Sequence, residues 1–324
     1  MFLNKQKCPN CESYYDPTLQ ECPKCHKSNE LYSQRDIPSS VAFFHPAAQI
    51  GLFLAGFAYF GMLFSQIITN LIFKGLDKTL SSALVLFFSY LMMLGALLTI
   101  VFSTRRTMFL KKFTRPHDYL FGLAYAGGIL GAGIVIGAIV NIFYQGINDN
   151  QSSAINFANN YPLFAFFVIC IFGPICEELT YRVGLYSFLR RINKVLAMVV
   201  TVLVFAFIHF DFTAENIVAE LWSLPSYIAC GLILTIAYEH RGPACSISAH
   251  MIYNSVALAF MILLFIKGIV DIQRMPKKKK KLEQEMLEKY RCPKCNFFFG
   301  LGQSYDIIKS NLDACPKCKS KFKK

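Results

Sequence analysis

Charge is scarce in this sequence. Of its 324 residues only 16% are Asp, Glu, Lys or Arg, against 54% hydrophobic, a balance that a soluble domain of this length does not need. Seven stretches, at 49–73, 81–103, 120–144, 162–188, 195–212, 217–238 and 243–267, are nearly free of charge. Each is long enough to approach or cross a hydrocarbon core ~30 Å thick, which takes ~20 apolar residues. The first residues, MFLNKQKCPNC, lack an apolar run, so no cleavable signal peptide is expected there. No H-E-x-x-H pair occurs, which excludes the zincin layout of a metalloprotease. Matching halves with interrupted helices, the sign of many secondary transporters, are also missing, because the deep polar residues all fall in the second half.

Basic residues are present, with a formal net charge of +13, but they are confined to certain loops. The connection after the second stretch reads STRRTMFLKKFTRPHD and the one after the fourth carries RRINK, whereas QGINDNQSSAINFANN and DFTAEN hold no Lys or Arg. That alternation is the positive-inside pattern and predicts a cytoplasmic N-terminus. It points to a membrane surface and away from nucleic acid as the partner of the positive charge. The tail MPKKKKK after the last stretch is basic too, and is expected on the cytoplasmic side. Seven crossings would leave it outside, so either one segment is a re-entrant or split element or a further weak span is present, with the segment around Pro225 the expected place of the miscount. The lysine run of MPKKKKKLEQEMLEKY suits an anionic lipid surface, or serves as an ordinary positive-inside anchor.

Eight of the twelve cysteines fall into two matched sets. CPNCESYYDPTLQECPKC places Cys8, Cys11, Cys22 and Cys25 as two C-P-x-C pairs, and a second set comprises Cys292, Cys295, Cys315 and Cys318. Each C-x-x-C turn aims two thiolates at one point, and two such turns complete a tetrahedral S₄ site. Segments this short build no core alone, so a structural Zn²⁺ in each is expected to supply much of the folding energy. A disulfide framework needs an oxidising compartment, and iron in a rubredoxin-like site is the minor alternative. Both segments resemble zinc ribbons, and they offer a surface for a protein partner or for the membrane. Cys170, Cys176, Cys230 and Cys245 lie in apolar stretches and read as small buried hydrophobes.

Ionisable residues inside the stretches carry the functional question, because each costs several kcal/mol unless paired or hydrated. The first three stretches contribute almost none, and AYAGGILGAGIVIGA offers small residues for close helix packing. The fourth holds Glu177, Glu178 and Arg182, His209 ends the fifth, Glu220 follows in the sixth, and the seventh carries His250 and Asn254. Glu178 and Arg182 are four apart and can pair on one helix face. Successive helical residues point ~100° apart, so Glu177 and Glu178 are not expected to face one ligand equally. Glu177 is then left to act on a water or substrate. His250 and Asn254 also share a face, and His209 brings a second imidazole, shallower than Glu177 by a turn or two. Glu220 shows no comparable partner set and reads as facing a hydrated interior or the lipid boundary. A carboxylate that activates water, with imidazoles that bind metal or stabilise an oxyanion, makes the parts of a hydrolase.

The order of these motifs, EELTYR, then FAFIH (Phe205 to His209), then HMIYN (His250 to Asn254), resembles the CPBP family of intramembrane proteases over residues 115 to 268. That family includes the type II CAAX prenyl endopeptidases and bacterial members linked to peptide processing, quorum sensing and bacteriocin self-immunity. The resemblance implies Glu177 as the base that activates water, with Glu178 positioning it or pairing with Arg182. It also implies that His209, His250 and Asn254 line one cavity. Two versions stay open: His209, His250 and a glutamate hold a catalytic Zn²⁺, or His250 and Asn254 stabilise the oxyanion without metal.

The expected architecture is an all-α polytopic membrane protein, a bundle of about 7–8 transmembrane helices flanked by two zinc ribbons. Its expected divisions are a ribbon at 1–35, membrane helices at 36–115, a protease core at 116–270, a basic linker at 271–290 and a second ribbon at 291–324. The expected setting is a bacterial plasma membrane with both ribbons in the cytoplasm, and the expected substrate is a membrane-associated protein or peptide. The rival reading is a non-proteolytic scaffold or immunity protein that binds a partner through its ribbons.

Overall fold

The computed structural model describes residues 6–15, 19, 21–29, 44–60, 67, 71–73, 78–144, 146, 148–274 and 319. Cys292, Cys295, Cys315 and Cys318, and the linker beyond 274, lie outside the described residues.

The apolar stretches form helices, as expected of an all-α membrane protein. They are α1 (Pro46–Phe60), α2 (Lys78–Lys111), α3 (Pro116–Phe143), α5 (Pro162–Leu189), α6 (Lys194–Phe207), α7 (Ile217–Arg241) and α8 (Pro243–Arg274). Among the described residues five of them, α2, α3, α5, α7 and α8, are long and apolar enough to cross a membrane, and α1 and α6 are shorter apolar helices. Helix α7 runs unbroken through Pro225, so no split element lies there. Gly242, at φ 86°, lets the chain leave α7 and enter α8 at Pro243, its N–H reaching the Tyr238 carbonyl at 2.7 Å. At ψ −165° this backbone conformation is one that only glycine adopts without strain.

The segment between α3 and α5, read from sequence as a loop, contains a polar helix, α4 (Asp149–Asn160). Asn148 caps it by accepting from the Gln151 N–H at 3.0 Å. Such caps satisfy one of the four orphan amides of a helix start. Phe157 and Ala158 give α4 its apolar side, packed against Ile169 and Ile171 of α5 and Met261 of α8.

Helix α5 is the axis of the bundle. Every residue from Cys176 to Ser187 is buried, and α1, α2, α6, α7 and α8 all pack on it. The approach of α1 depends on glycine: a Cβ on Gly184 would stand 2.8 Å from the Phe53 amide nitrogen and 3.0 Å from the Gln49 carbonyl. Small residues at such crossings let backbones touch where lipid offers no hydrophobic drive.

Two stretches of α5 are wider π-helix, Phe166–Phe172 and Glu178–Tyr186. Pro174 helps to explain the first. The Gly173 N–H bonds five residues back to Val168, and proline has no N–H to offer the next carbonyl, that of Ile169. The side chain of Asn254 on α8 supplies the missing donor, its Nδ2 lying 2.8 Å from the Ile169 oxygen. Turns of this type are frequent at functional sites.

Ahead of the bundle, β1 (Gln6–Lys7) pairs antiparallel with β2 (Tyr14–Tyr15). Two turns of the same design follow one another. Glu12 N–H reaches the Cys8 carbonyl and Cys8 N–H the Ser13 carbonyl, and His26 and Lys27 repeat both bonds around Cys22. Each turn closes on a left-handed residue, Glu12 at φ 58° and His26 at φ 54°.

Candidate active site

The polar residues of α5 meet those of α8 in the interior. Arg182 and Glu178 are both fully buried, and Nη1 of the arginine donates to Glu178 Oε1 at 2.9 Å. The four-residue spacing is the one the sequence suggested. The second guanidinium nitrogen, Nη2, donates to the Gly231 carbonyl of α7 at 3.1 Å. A planar fork with several donors can serve two acceptors at once, which an ammonium group does less well.

His250 Nδ1 lies 3.1 Å from that same Glu178 oxygen. The Glu178 oxygen also accepts from Arg182, so in this contact Nδ1 is the donor. Nε2 stands 3.7 Å from Glu177 Oε2, which is too long for a direct hydrogen bond. One imidazole therefore touches both glutamates from its two sides, although the carboxylates leave the helix in different directions. Glu177 is buried, and its Oε2 has no hydrogen-bond partner among the described residues.

His209 sits past the end of α6. Its Nδ1 donates to the Phe205 carbonyl at 2.8 Å, leaving Nε2 as the atom available to a ligand. Phe205 joins the pieces: its ring centroid lies 4.9 Å from that of His209 and 6.1 Å from that of His250, and the Arg182 guanidinium carbon lies 4.3 Å from it. A cation over an aromatic face is stabilised by the ring quadrupole. Gly231 makes room for this ring, since a Cβ there would come within 2.9 Å of Phe205 Cδ1. His209 is also within electrostatic reach of Glu177, His250 and Arg182.

The structure thus brings together Glu177, Glu178, Arg182 and His250, with His209 one ring away. Asn254 is placed differently, its amide N–H engaged with Ile169. Glu220 is a correction to the sequence reading: it is 1% exposed and far from partnerless. It accepts from the Asp149 amide at 2.8 Å, the Asp211 amide at 3.2 Å and Asn148 Nδ2 at 3.3 Å. Two of these donors are backbone groups brought in by chain folding, and nothing in residue identity reveals them. The role of Gly231 was equally hidden.

Cys8, Cys11, Cys22 and Cys25 form the one group of three or more His, Cys, Asp or Glu ligand atoms within 4.8 Å of one another among the described residues. Cys8–Cys25 and Cys11–Cys22 are each separated by 3.6 Å between sulfurs. A tetrahedral S₄ site with metal–sulfur bonds of ~2.3 Å requires ~3.8 Å, so these four residues fit a metal ion. The Ser13 hydroxyl draws the Cys22 thiol down to about 6, and burial opposes it. His209, His250 and the glutamates form no comparable group.

Residues 159–256 match a family described as Type II CAAX prenyl endopeptidase Rce1-like. The chain is also similar to three UPF0177 proteins of Lactococcus lactis subsp. lactis (strain IL1403). YbdJ is 30% identical over 164 residues, covering 48% of this chain and 67% of that protein. YvdC is 26% identical over 159 residues, 47% and 56% of the two chains, and YbdI 26% over 185 residues, 54% and 94%. No solved structure matches.

Proposed function

The chain belongs to the UPF0177 family, and from the site described above we propose that it is an intramembrane endopeptidase in which Glu177 activates the attacking water. The observation that carries this reading is the unequal setting of two adjacent buried glutamates. Glu178 is paired with Arg182 and with His250 Nδ1, while Glu177 Oε2 stands 3.7 Å from His250 Nε2 and has no hydrogen-bond partner among the described residues. Pairs of carboxylates whose surroundings separate their roles in this way are the usual basis of acid–base assignment.

The chemistry then runs as follows. A water bound between Glu177 and His250 Nε2 gives a proton to the Glu177 carboxylate as its oxygen bonds to the scissile carbonyl carbon. The carbonyl π pair moves onto its own oxygen. When the C–N bond breaks, the proton passes from Glu177 to the leaving nitrogen, and the new acid ionises. Glu178 and Arg182 hold His250 in the tautomer that leaves Nε2 free for the water. His209, with its proton on Nδ1, would offer the Nε2 lone pair to a metal ion as a neutral ring.

The match to a CAAX-type endopeptidase family supports a substrate presented at the membrane, either a prenylated protein end or a membrane-associated peptide. The S₄ cluster is proposed to hold a structural Zn²⁺ that folds the N-terminal ribbon, with the C-terminal cysteines forming a second such module. Replacement Glu177→Gln tests the assignment. It should remove peptide cleavage in liposomes while leaving thermal unfolding unchanged, and retained cleavage would overturn it.

A further inference from the structure

His209 hangs from a short turn beyond the end of α6, where the backbone alone cannot fix a ring. Its Nδ1 bond to Phe205 holds one edge. The ring face is held by Tyr227 of α7, whose centroid lies 4.6 Å away at an interplanar angle of 17°. The Tyr227 hydroxyl is tied in turn to the start of α4, with Asn150 Nδ2 at 2.9 Å and Asn148 Nδ2 at 3.4 Å. Glu220 lies seven residues before Tyr227 on the same helix face and grips the same turn through Asn148 and the Asp149 amide. One face of α7 therefore clamps the α4 N-terminus at two points, and the second point carries the ring that covers His209.

We propose that Tyr227 is a positioning residue for His209, kept in register by the α4 N-terminus. This rests on the reading of the site as a hydrolase. Stacking restricts rotation of the imidazole and preserves its Nδ1–H bond to Phe205, which keeps the Nε2 lone pair in one direction. Ring slippage of ~1 Å at such a group can cost ~10²-fold in rate. Substrate affinity should barely change, since His209 acts on the reacting group and not on the rest of the substrate.

The test uses the full chain in liposomes with ¹⁵N-labelled histidine and a quenched farnesylated CAAX peptide as probe. The His209 signals are identified by their loss in His209→Gln. In the wild type they should show one fixed tautomer with the proton on Nδ1. In Tyr227→Leu they should become those of a tautomer mixture, with kcat lowered ~10-fold or more and KM within ~2-fold. Tyr227→Phe keeps the stack and should retain the tautomer and most of kcat. Asn150→Ala removes only the anchor of the hydroxyl, guards against misfolding of the leucine variant, and should shift the signals partway. Unchanged His209 signals in both Tyr227→Leu and Asn150→Ala would overturn the proposal. A tautomer change in a protein that cleaves no peptide would uphold the positioning role and overturn the hydrolase reading instead.

Discussion

Nε2 of His250 stands 3.7 Å from Oε2 of Glu177, while its Nδ1 is held 3.1 Å from Glu178. The imidazole thus lies between two neighbouring carboxylates, of which Glu178 is also paired with Arg182. Glu178 belongs to a buried chain that runs from the Gly231 carbonyl through Arg182 to His250. Glu177 stands beyond the end of that chain, its Oε2 3.7 Å from His250 Nε2.

The first prediction separates the two glutamates. Glu177→Gln should lower kcat by ~10³-fold, within the ~10²–10⁴ range for loss of a general base, with little change in unfolding temperature. Glu178→Gln should lower both activity and stability, because it leaves the Arg182 charge buried with one acceptor fewer. Rate assays paired with thermal unfolding in detergent distinguish the two patterns.

Arg182 gives a second. Breaking a buried ion pair by removing one partner costs ~3–5 kcal/mol, whereas replacing both with apolar groups is often neutral. Arg182→Met should therefore be severely destabilised, and adding Glu178→Leu should restore much of the stability without restoring cleavage. A double variant no more stable than the single one would show that the pair is not the dominant constraint.

Much of this was legible in the sequence, and the reasons for the gaps are specific. Long apolar runs announce helices whatever they pack against, so α2, α3, α5, α7 and α8 were readable. The Glu178–Arg182 pair followed from its spacing alone. Helix α4 was missed because its twelve residues, eight of them polar, contain no apolar run. The π turns of α5 were missed because ordinary helical spacing assumes a constant turn, although Gly173-Pro174 was a visible warning. Asn254 shares a face with His250 as expected, but the carbonyl left without a donor by Pro174 claims its amide. Glu220 looked unpaired because its partners are backbone amides that only the fold brings near.

Packing of α1 supplies a third prediction. Gly184→Ala would press a methyl onto the α1 backbone and should cost ~1–3 kcal/mol or more, as overpacking does. Gly127→Ala, where nothing lies within 4 Å, should fall within ~0.5 kcal/mol, as surface substitutions do. Equal unfolding temperatures for the two variants would contradict the close approach seen at Gly184.

The ribbon supplies a fourth. Cys22→Ser should lower the zinc content of the full chain by one ion and leave peptide cleavage largely intact. Ligands must be deprotonated to bind, so acidification should release the ion. Retention of that ion in Cys22→Ser would remove the cluster from the list of metal sites.

The most direct test of the central claim is isotopic. Purified full chain in liposomes is incubated in H₂¹⁸O with a farnesylated CAAX peptide and a mixture of membrane-protein peptides, and the products are read by mass spectrometry. The account predicts new carboxyl ends carrying one ¹⁸O from the wild type and from Cys22→Ser, and none from Glu177→Gln. Cleavage by Glu177→Gln at the wild-type rate, or labelled ends from neither protein, would contradict it.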